Sequence, residues 1–437
     1  MQTELHPLSH VLKLSSSVAH NNPNGNVQTT TGIQYYWVAA MLASLVTATF
    51  FSTFLTNLAA ALISITALVY WCRYRPWHLL RTPLAICCIT LLAWILLRDV
   101  TAGSGWVSAW REVNDFRPLI FIVLWAPLFL DLRHRKIVAA TFGICMAIFC
   151  IVVLTVTVWT GSPAYVKFYS RAPDLSGPLL VTAIMAAIQL ALTQKKNLWF
   201  WWLGAILGST VLFFASDRRT GYLIFFICAI FLVWMNSPKL NSMKWSSVLL
   251  RLTLVPSLLI LVLLVSSNVR QGLIRVADEA SQFTQTVNLQ QGSLHTSTGL
   301  RLRFWSITKE VIQEAPWVGS GLSKFPERYA WHNSRMGGSE YVVKNPHNEY
   351  IYILAGLGVV GLLMYLAIQI QIIIQARRLT NISQRNILQL TMLALLSSIF
   401  FNSMIIDMVP GHFYALAILC LGWFDWSNPH EKLEVMR

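Results

Sequence analysis

Charge is scarce in this chain. Of its 437 residues only 12 % are Asp, Glu, Lys or Arg, about half the share of an ordinary soluble domain. Acids are the rarer sign, 18 against 33 Lys and Arg. The seven cysteines include no CxxC pair. All seven lie within or at the edge of apolar runs and read as small buried residues, not as metal ligands or disulfide halves. There is no HExxH, no other metal-ligand spacing, no convincing carboxylate pair and no GxSxG elbow. The first 34 residues are polar and lack a short apolar core with a cleavage site, so no secretory signal peptide is expected. These absences exclude an ordinary cytosolic enzyme, a disordered chain and a disulfide scaffold.

Apolar sequence is abundant. Hydrophobic residues make up 55 %, and the mean hydropathy is +0.56. The pattern predicts an all-α integral membrane protein. A spanning helix takes about 20 apolar residues. Apolar runs lie at 36–53, 55–71, 82–97, 118–130, 137–159, 177–193, 198–215, 221–236, 249–267, 348–374, 387–406 and 411–426. That predicts about 12 transmembrane helices, or 11 if the first two runs form one. The net charge of +15 would suggest nucleic acid in a soluble protein. In a membrane protein it marks cytoplasmic loops, so no nucleic-acid partner is expected.

The basic loops around Arg73–Arg81, Arg133–Lys136, Lys195–Lys196, Lys239–Lys244 and Arg377–Arg385 fall on one side. The acids Asp99, Glu112, Asp115, Asp174, Asp217 and Asp407 fall on the other. This bias puts both termini in the cytoplasm. The expected organisation is a cytoplasmic tail at 1–34, helices one to nine at 35–267 and a large external loop at 268–347. Helices ten to twelve follow at 348–426, with a second tail at 427–437. A polar connection of about 80 residues inside a compact membrane protein points to function. Leu302, Trp305, Ile307, Val311 and Ile312 repeat at near-helical spacing within it. No acid or base lies well inside any run, and no matched pair of interrupted helices is visible. Both absences argue against an ion-coupled transporter.

Three clusters carry chemistry. Arg218 and Arg219 open the eighth run in Ser216-Asp217-Arg218-Arg219-Thr220-Gly221-Tyr222. Guanidinium forks at a helix start suit a pyrophosphate; snorkelling headgroup anchors are the alternative. Arg301 and Arg303 precede the helical stretch that contains Trp305, and Pro316, Gly319 and Gly321 end it in a tight turn. For Arg301 a loop salt bridge and a second phosphate contact both remain open. His347, in Asn345-Pro346-His347-Asn348-Glu349-Tyr350, is expected at the first turn of the tenth helix. A neutral imidazole there could accept a proton. Gly356, Gly358 and Gly361 are expected to admit a neighbouring helix.

Together these residues resemble the superfamily of O-antigen ligases, O-antigen polymerases and bacterial protein O-oligosaccharyltransferases. The likeness rests on the R-x-x-x-W start (Arg301, Trp305), the P-x-x-G-x-G turn (Pro316, Gly319, Gly321) and Phe325. The H-N-x-Y-x-x-x-L-x-x-x-G-x-x-G close, from His347 to Gly361, completes it. The resemblance implies a GT-C-like integral membrane glycosyltransferase of the cell inner membrane of a Gram-negative bacterium. It would transfer a glycan from an undecaprenyl-pyrophosphate-linked donor to a sugar hydroxyl of a lipid A–core acceptor. The reaction would run at the periplasmic face, with inversion and without a metal or other cofactor. By motif, His347 would be the base, and Arg219 and Arg301 would bind the donor pyrophosphate. Arg218 is the alternative to its neighbour, and Arg303, Asn348, Tyr350 and Trp305 would support the site. An O-antigen ligase is the first expectation and a polymerase of the same superfamily the second. A protein O-oligosaccharyltransferase fits less well, for want of a long C-terminal extension. A transporter or flippase of lipid-linked glycans is the reading from another class.

Overall fold

The computed structural model describes residues 32–161, 175–194, 196–216, 219–236, 257, 260–285, 297–336 and 343–422. Arg218, the tail 427–437, most of the tail 1–34 and most of the ninth run lie outside the described residues. Among the described residues the chain is all-helical, with no strand. The helices in order are α1 (Gly32–Phe51), α2 (Thr53–Tyr74), α3 (Pro83–Thr101), α4 (Trp106–Asp115) and α5 (Arg117–Leu124). There follow α6 (Leu132–Thr160), α7 (Leu180–Thr193), α8 (Leu198–Thr210), α9 (Arg219–Met235) and α10 (Ser267–Gln285). The last five are α11 (Ser297–Glu314), α12 (Phe325–Arg335), α13 (Glu349–Arg378), α14 (Ile382–Ile399) and α15 (Met408–Ala417).

Polar residues at the run boundaries start many of these helices. Ser52, Thr82, Asp131, Asn348 and Asn381 each accept a backbone N–H from the first turn of the helix that follows. Such caps satisfy amides the helix cannot pair internally. Among the described residues five segments are long and apolar enough to cross a membrane: Thr53–Tyr74, Pro83–Thr101, Leu132–Thr160, Leu198–Ala215 and Glu349–Arg378. Three apolar helices are shorter, Gly177–Thr193, Arg219–Met235 and Met408–Gly422. Prolines break up two of the runs. The run at 118–130 divides into α5 and a 3-10 turn at Ala126–Leu130, with Pro118 and Pro127 at their starts. The run at 177–193 opens on a distorted turn containing Pro178.

The outer faces are apolar. On α2, Leu55, Leu58, Leu62, Ile65 and Leu68 are exposed, and on α6 so are Ile144, Ile148, Ile151 and Val152. A soluble monomer does not display contiguous apolar faces of this size; lipid-facing helices do. Side-chain bonds group the loops. Tyr74 reaches Gln34, Asn236 bonds Gln189, and Ser383 bonds Thr193. The ends carrying Asp99, Glu112 and Arg219 gather elsewhere, with α11 and the turn that follows it.

The tenth run is one long element with a break inside it. Gly358 adopts φ 69° and ψ −172°, a backbone that L side chains avoid. The turn after α11 fills the opening. Ser320 and Gly321 donate their N–H groups to the carbonyls of Ala355 and Gly356, at 2.9 and 2.8 Å. Val359 and Val360 donate to the carbonyls of Pro316 and Trp317, at 2.9 and 3.2 Å. Gly356 and Gly358 therefore admit a turn of the large loop, not the helix the spacing suggested. A Cβ on Gly358 would stand 2.3 Å from the Trp317 backbone, and one on Gly319 would stand 2.3 Å from that of Gly356. The last turns of α3 hold the outer side. Arg98 donates to the Val318 and Gly319 carbonyls, Asp99 accepts from the N–H and hydroxyl of Ser323, and Trp94 donates to the Leu357 carbonyl.

Gly358→Ala is expected to lower the unfolding free energy by roughly 3 kcal/mol or more, through clash and strain together. Gly143→Ala, in open space on α6, should change it by less than about 1 kcal/mol. Thermal unfolding of the two purified variants checks the contrast.

Candidate active site

α11 organises the site. Arg301 and Arg303 lie inside its first two turns, not ahead of it, because the helix already begins at Ser297. Phe304 stacks beside His347, with ring centroids 5.9 Å apart and planes 28° off parallel. The Trp305 indole donates to the Pro346 carbonyl at 3.1 Å. Arg301 and Trp305 are four residues apart and share a helix face, so the R-x-x-x-W spacing has a structural meaning. One end of that pair ties α11 to the His347 segment. Arg303 is buried and donates to the Asn333 side chain on α12 at 2.9 Å. It locks the two loop helices together.

His347 sits one residue before Asn348, the N-cap of α13. The expectation of a first-turn position is corrected accordingly. His347 has φ 55°, a left-handed conformation that histidine adopts more readily than most residues but still at some cost. The Asn345 side chain accepts its backbone N–H at 2.9 Å, and the cap on one side and Pro346 on the other complete the turn. The imidazole is exposed. Its Nδ1 lies 3.2 Å from the Asn402 Oδ1. An amide oxygen only accepts, so this contact favours the tautomer with the proton on Nδ1 and a free lone pair on Nε2.

Two supporting residues escaped the sequence reading. Glu349 follows the cap and is fully buried. Its carboxyl accepts the N–H groups of Met404 and Ile405, at 2.7 and 2.9 Å, and the Tyr365 hydroxyl at 3.2 Å. It thereby anchors the 402–405 segment that brings Asn402 to His347. Asn402 was hidden in the apolar run 387–406, but α14 stops at Ile399 and leaves it on a loop. The one available signal was Glu349 itself, an acid at the edge of a long apolar run. Tyr350 packs against Phe400 and Tyr365, so it serves the α13–α14 contact.

Arg219 opens α9 and meets Glu279 of α10. Its two terminal nitrogens donate to the two carboxyl oxygens at 3.0 and 3.1 Å. The same carboxyl accepts the N–H of Thr298, at the start of α11, at 3.2 Å. Burial raises the Glu279 carboxyl, but Arg219 and Thr298 outweigh it and hold it below its ordinary value. Glu279 thus bridges Arg219 to the turn of α11 that carries Arg301. Arg218 lies outside the described residues. Among the described residues no three His, Cys, Asp or Glu side chains form a metal-ligand set.

Residues 203–366 match the family described as O-antigen ligase. The matched stretch is less than half of the chain. The match supports a likeness to the O-antigen ligase superfamily, which is glycosyltransferase-like. No curated protein matches the chain. The matched stretch runs from α8 into α13 and includes Arg219, Glu279, Arg301 and His347.

α4, outside the matched stretch, supports it from the side. Glu112 accepts the Tyr352 hydroxyl of α13 at 3.3 Å. Burial, helped by the neighbouring charges of Asp115 and Asp99, pushes the Glu112 carboxyl up from 4.5 to about 7. The folded state therefore binds this proton more tightly than the unfolded chain does. Its contribution to stability is present below the unfolded value and is lost as pH rises towards about 7. Glu112→Gln should match the wild-type melting temperature near pH 4.5 and exceed it increasingly up to about 7. A variant that tracks wild type across that range overturns the assignment.

Proposed function

We propose that the protein is an O-antigen ligase of the inner membrane. It would transfer a glycan from undecaprenyl pyrophosphate to a sugar hydroxyl of lipid A–core on the periplasmic side. In this reading both termini are cytoplasmic, about twelve helices cross the bilayer and residues 268–347 form the periplasmic loop. The observation that carries it is the double role of α11. Its first turn meets Arg219 through Glu279, and its next turn holds the ring beside His347. An anion site and a proton acceptor are thus built on one rigid element.

The chemistry follows from those parts. His347 Nε2 takes the proton of the acceptor hydroxyl as that oxygen bonds to the anomeric carbon. The bond from that carbon to the pyrophosphate oxygen breaks, and the electron pair leaves on the pyrophosphate. Attack opposite the leaving group inverts the anomeric centre. Arg219 and Arg301 stabilise the charge that develops on the leaving group, and fixed donors aimed at such charge are the strongest single aid to catalysis. Guanidinium groups keep their charge at any working pH. A metal ion has no assigned part in these steps. Asn402 and Glu349 act through His347 as positioning residues. The apolar helix faces beneath the loop offer both lipid-linked substrates an approach from the bilayer.

A strain deleted for the gene and examined by lipopolysaccharide gel tests the reaction. A ligase predicts cores without any O-antigen and accumulation of long lipid-linked chains. A core capped by a single repeat unit would indicate the polymerase reaction, and unchanged lipopolysaccharide would refute both. His347→Ala, tested for complementation, should leave the folded protein without transfer activity. Asn402→Ala should lower kcat roughly tenfold or more with little change in the KM of either substrate. Normal kcat in Asn402→Ala removes its positioning role.

A further inference from the structure

The contact that brings Arg219 to α11 also occupies it. A guanidinium fork and a backbone N–H from a helix start form a donor set suited to a phosphate. Here that set holds the Glu279 carboxylate. Both carboxyl oxygens are engaged, so Arg219 offers its paired edge to nothing else while Glu279 is in place. The pair is only partly buried, with side-chain exposures of 27 % for Arg219 and 12 % for Glu279. Water and an incoming anion therefore have access to it, and a pair in such a setting is of modest strength. A fully enclosed pair would resist exchange, because each separated charge would remain desolvated.

We propose that Glu279 is a displaceable internal anion, whose carboxylate stands at a phosphate position and is exchanged for the donor pyrophosphate. This rests on the reading of Arg219 as a pyrophosphate ligand. Exchange works in both directions. Transfer converts a pyrophosphate diester into a monoester, which carries more negative charge and is attracted more strongly to the fixed guanidinium. The returning carboxylate offsets that gain and expels the product. Glu279 thus weakens donor binding to some degree and speeds release of undecaprenyl pyrophosphate. It also keeps the cationic site paired when no substrate is present.

The test is a binding titration of undecaprenyl pyrophosphate against the full-length protein in lipid nanodiscs. Glu279→Gln keeps the side-chain shape and removes the competing charge. It should bind roughly 5- to 30-fold more tightly than wild type, the range expected for losing one charge-assisted contact from the competitor. Its steady-state kcat should fall through slow product release, while a first turnover remains fast. Glu279→Ala, measured beside it, should shift binding in the same direction. If Glu279 merely props Arg219 in position, both variants bind more weakly. Weaker or unchanged binding in both variants overturns the exchange. Arg219→Ala separates the two readings, and it should bind more weakly than wild type. Wild-type binding by Arg219→Ala refutes its pyrophosphate role, whereas weak binding there with no gain in the Glu279 variants refutes the exchange alone.

Discussion

A helix that opens within an apolar run releases backbone groups that lipid cannot satisfy, and each unpaired group costs several kcal/mol there. The break at Gly358 is tolerated because the turn at 316–321 pairs with it through four backbone hydrogen bonds. The remainder of the site hangs on this joint. It pins the end of α11 to the interior of α13, and it does so without a side chain at Gly319, Gly356 or Gly358 to hold the two backbones apart. Arg98 and Asp99 then close the joint from α3. The turn after α11 is thereby fixed against α13, with its orientation set by main-chain geometry.

Once α11 is fixed, the chemistry falls into line along it. The helix start meets an acid and a guanidinium, the second turn meets an imidazole, and a buried Arg303–Asn333 bond joins α12 behind them. His347 is held from three sides, by Asn345 at its backbone, Phe304 at its ring and Asn402 at Nδ1. Glu349 secures the last of these at a distance, through the Met404 and Ile405 amides. Rigid elements place each of these side chains, and supporting bonds orient it, as a preorganised site requires.

Much of this was legible beforehand. Apolar runs bounded by capping residues mark most helix positions, because a cap and a change of hydropathy are both local properties. Leu302, Trp305, Ile307 and Val311 announce α11 by their spacing, and Gly319 and Gly321 announce its turn. His347 and the arginines stand out because charge is rare in this chain. Other features were not legible. Glu279 is an ordinary acid on a polar helix until folding sets it against Arg219, 60 residues away. Asn402 reads as an interruption of an apolar run until α14 stops short of it. The three glycines of α13 predict close approach, but spacing alone does not say that a turn approaches.

The sequence by itself determined an all-α membrane protein and marked where its few charged residues stand. Hydropathy, capping and the rarity of charge act over a few neighbours and are readable in one dimension. Only the tertiary structure decided that α13 breaks at Gly358, that Arg219 is paired with Glu279, and that Asn402 and Glu349 stand behind His347. These depend on contacts across 35 to 60 residues and on which backbone groups a fold leaves unpaired. No local pattern encodes such contacts, because their energy exists only once distant segments meet.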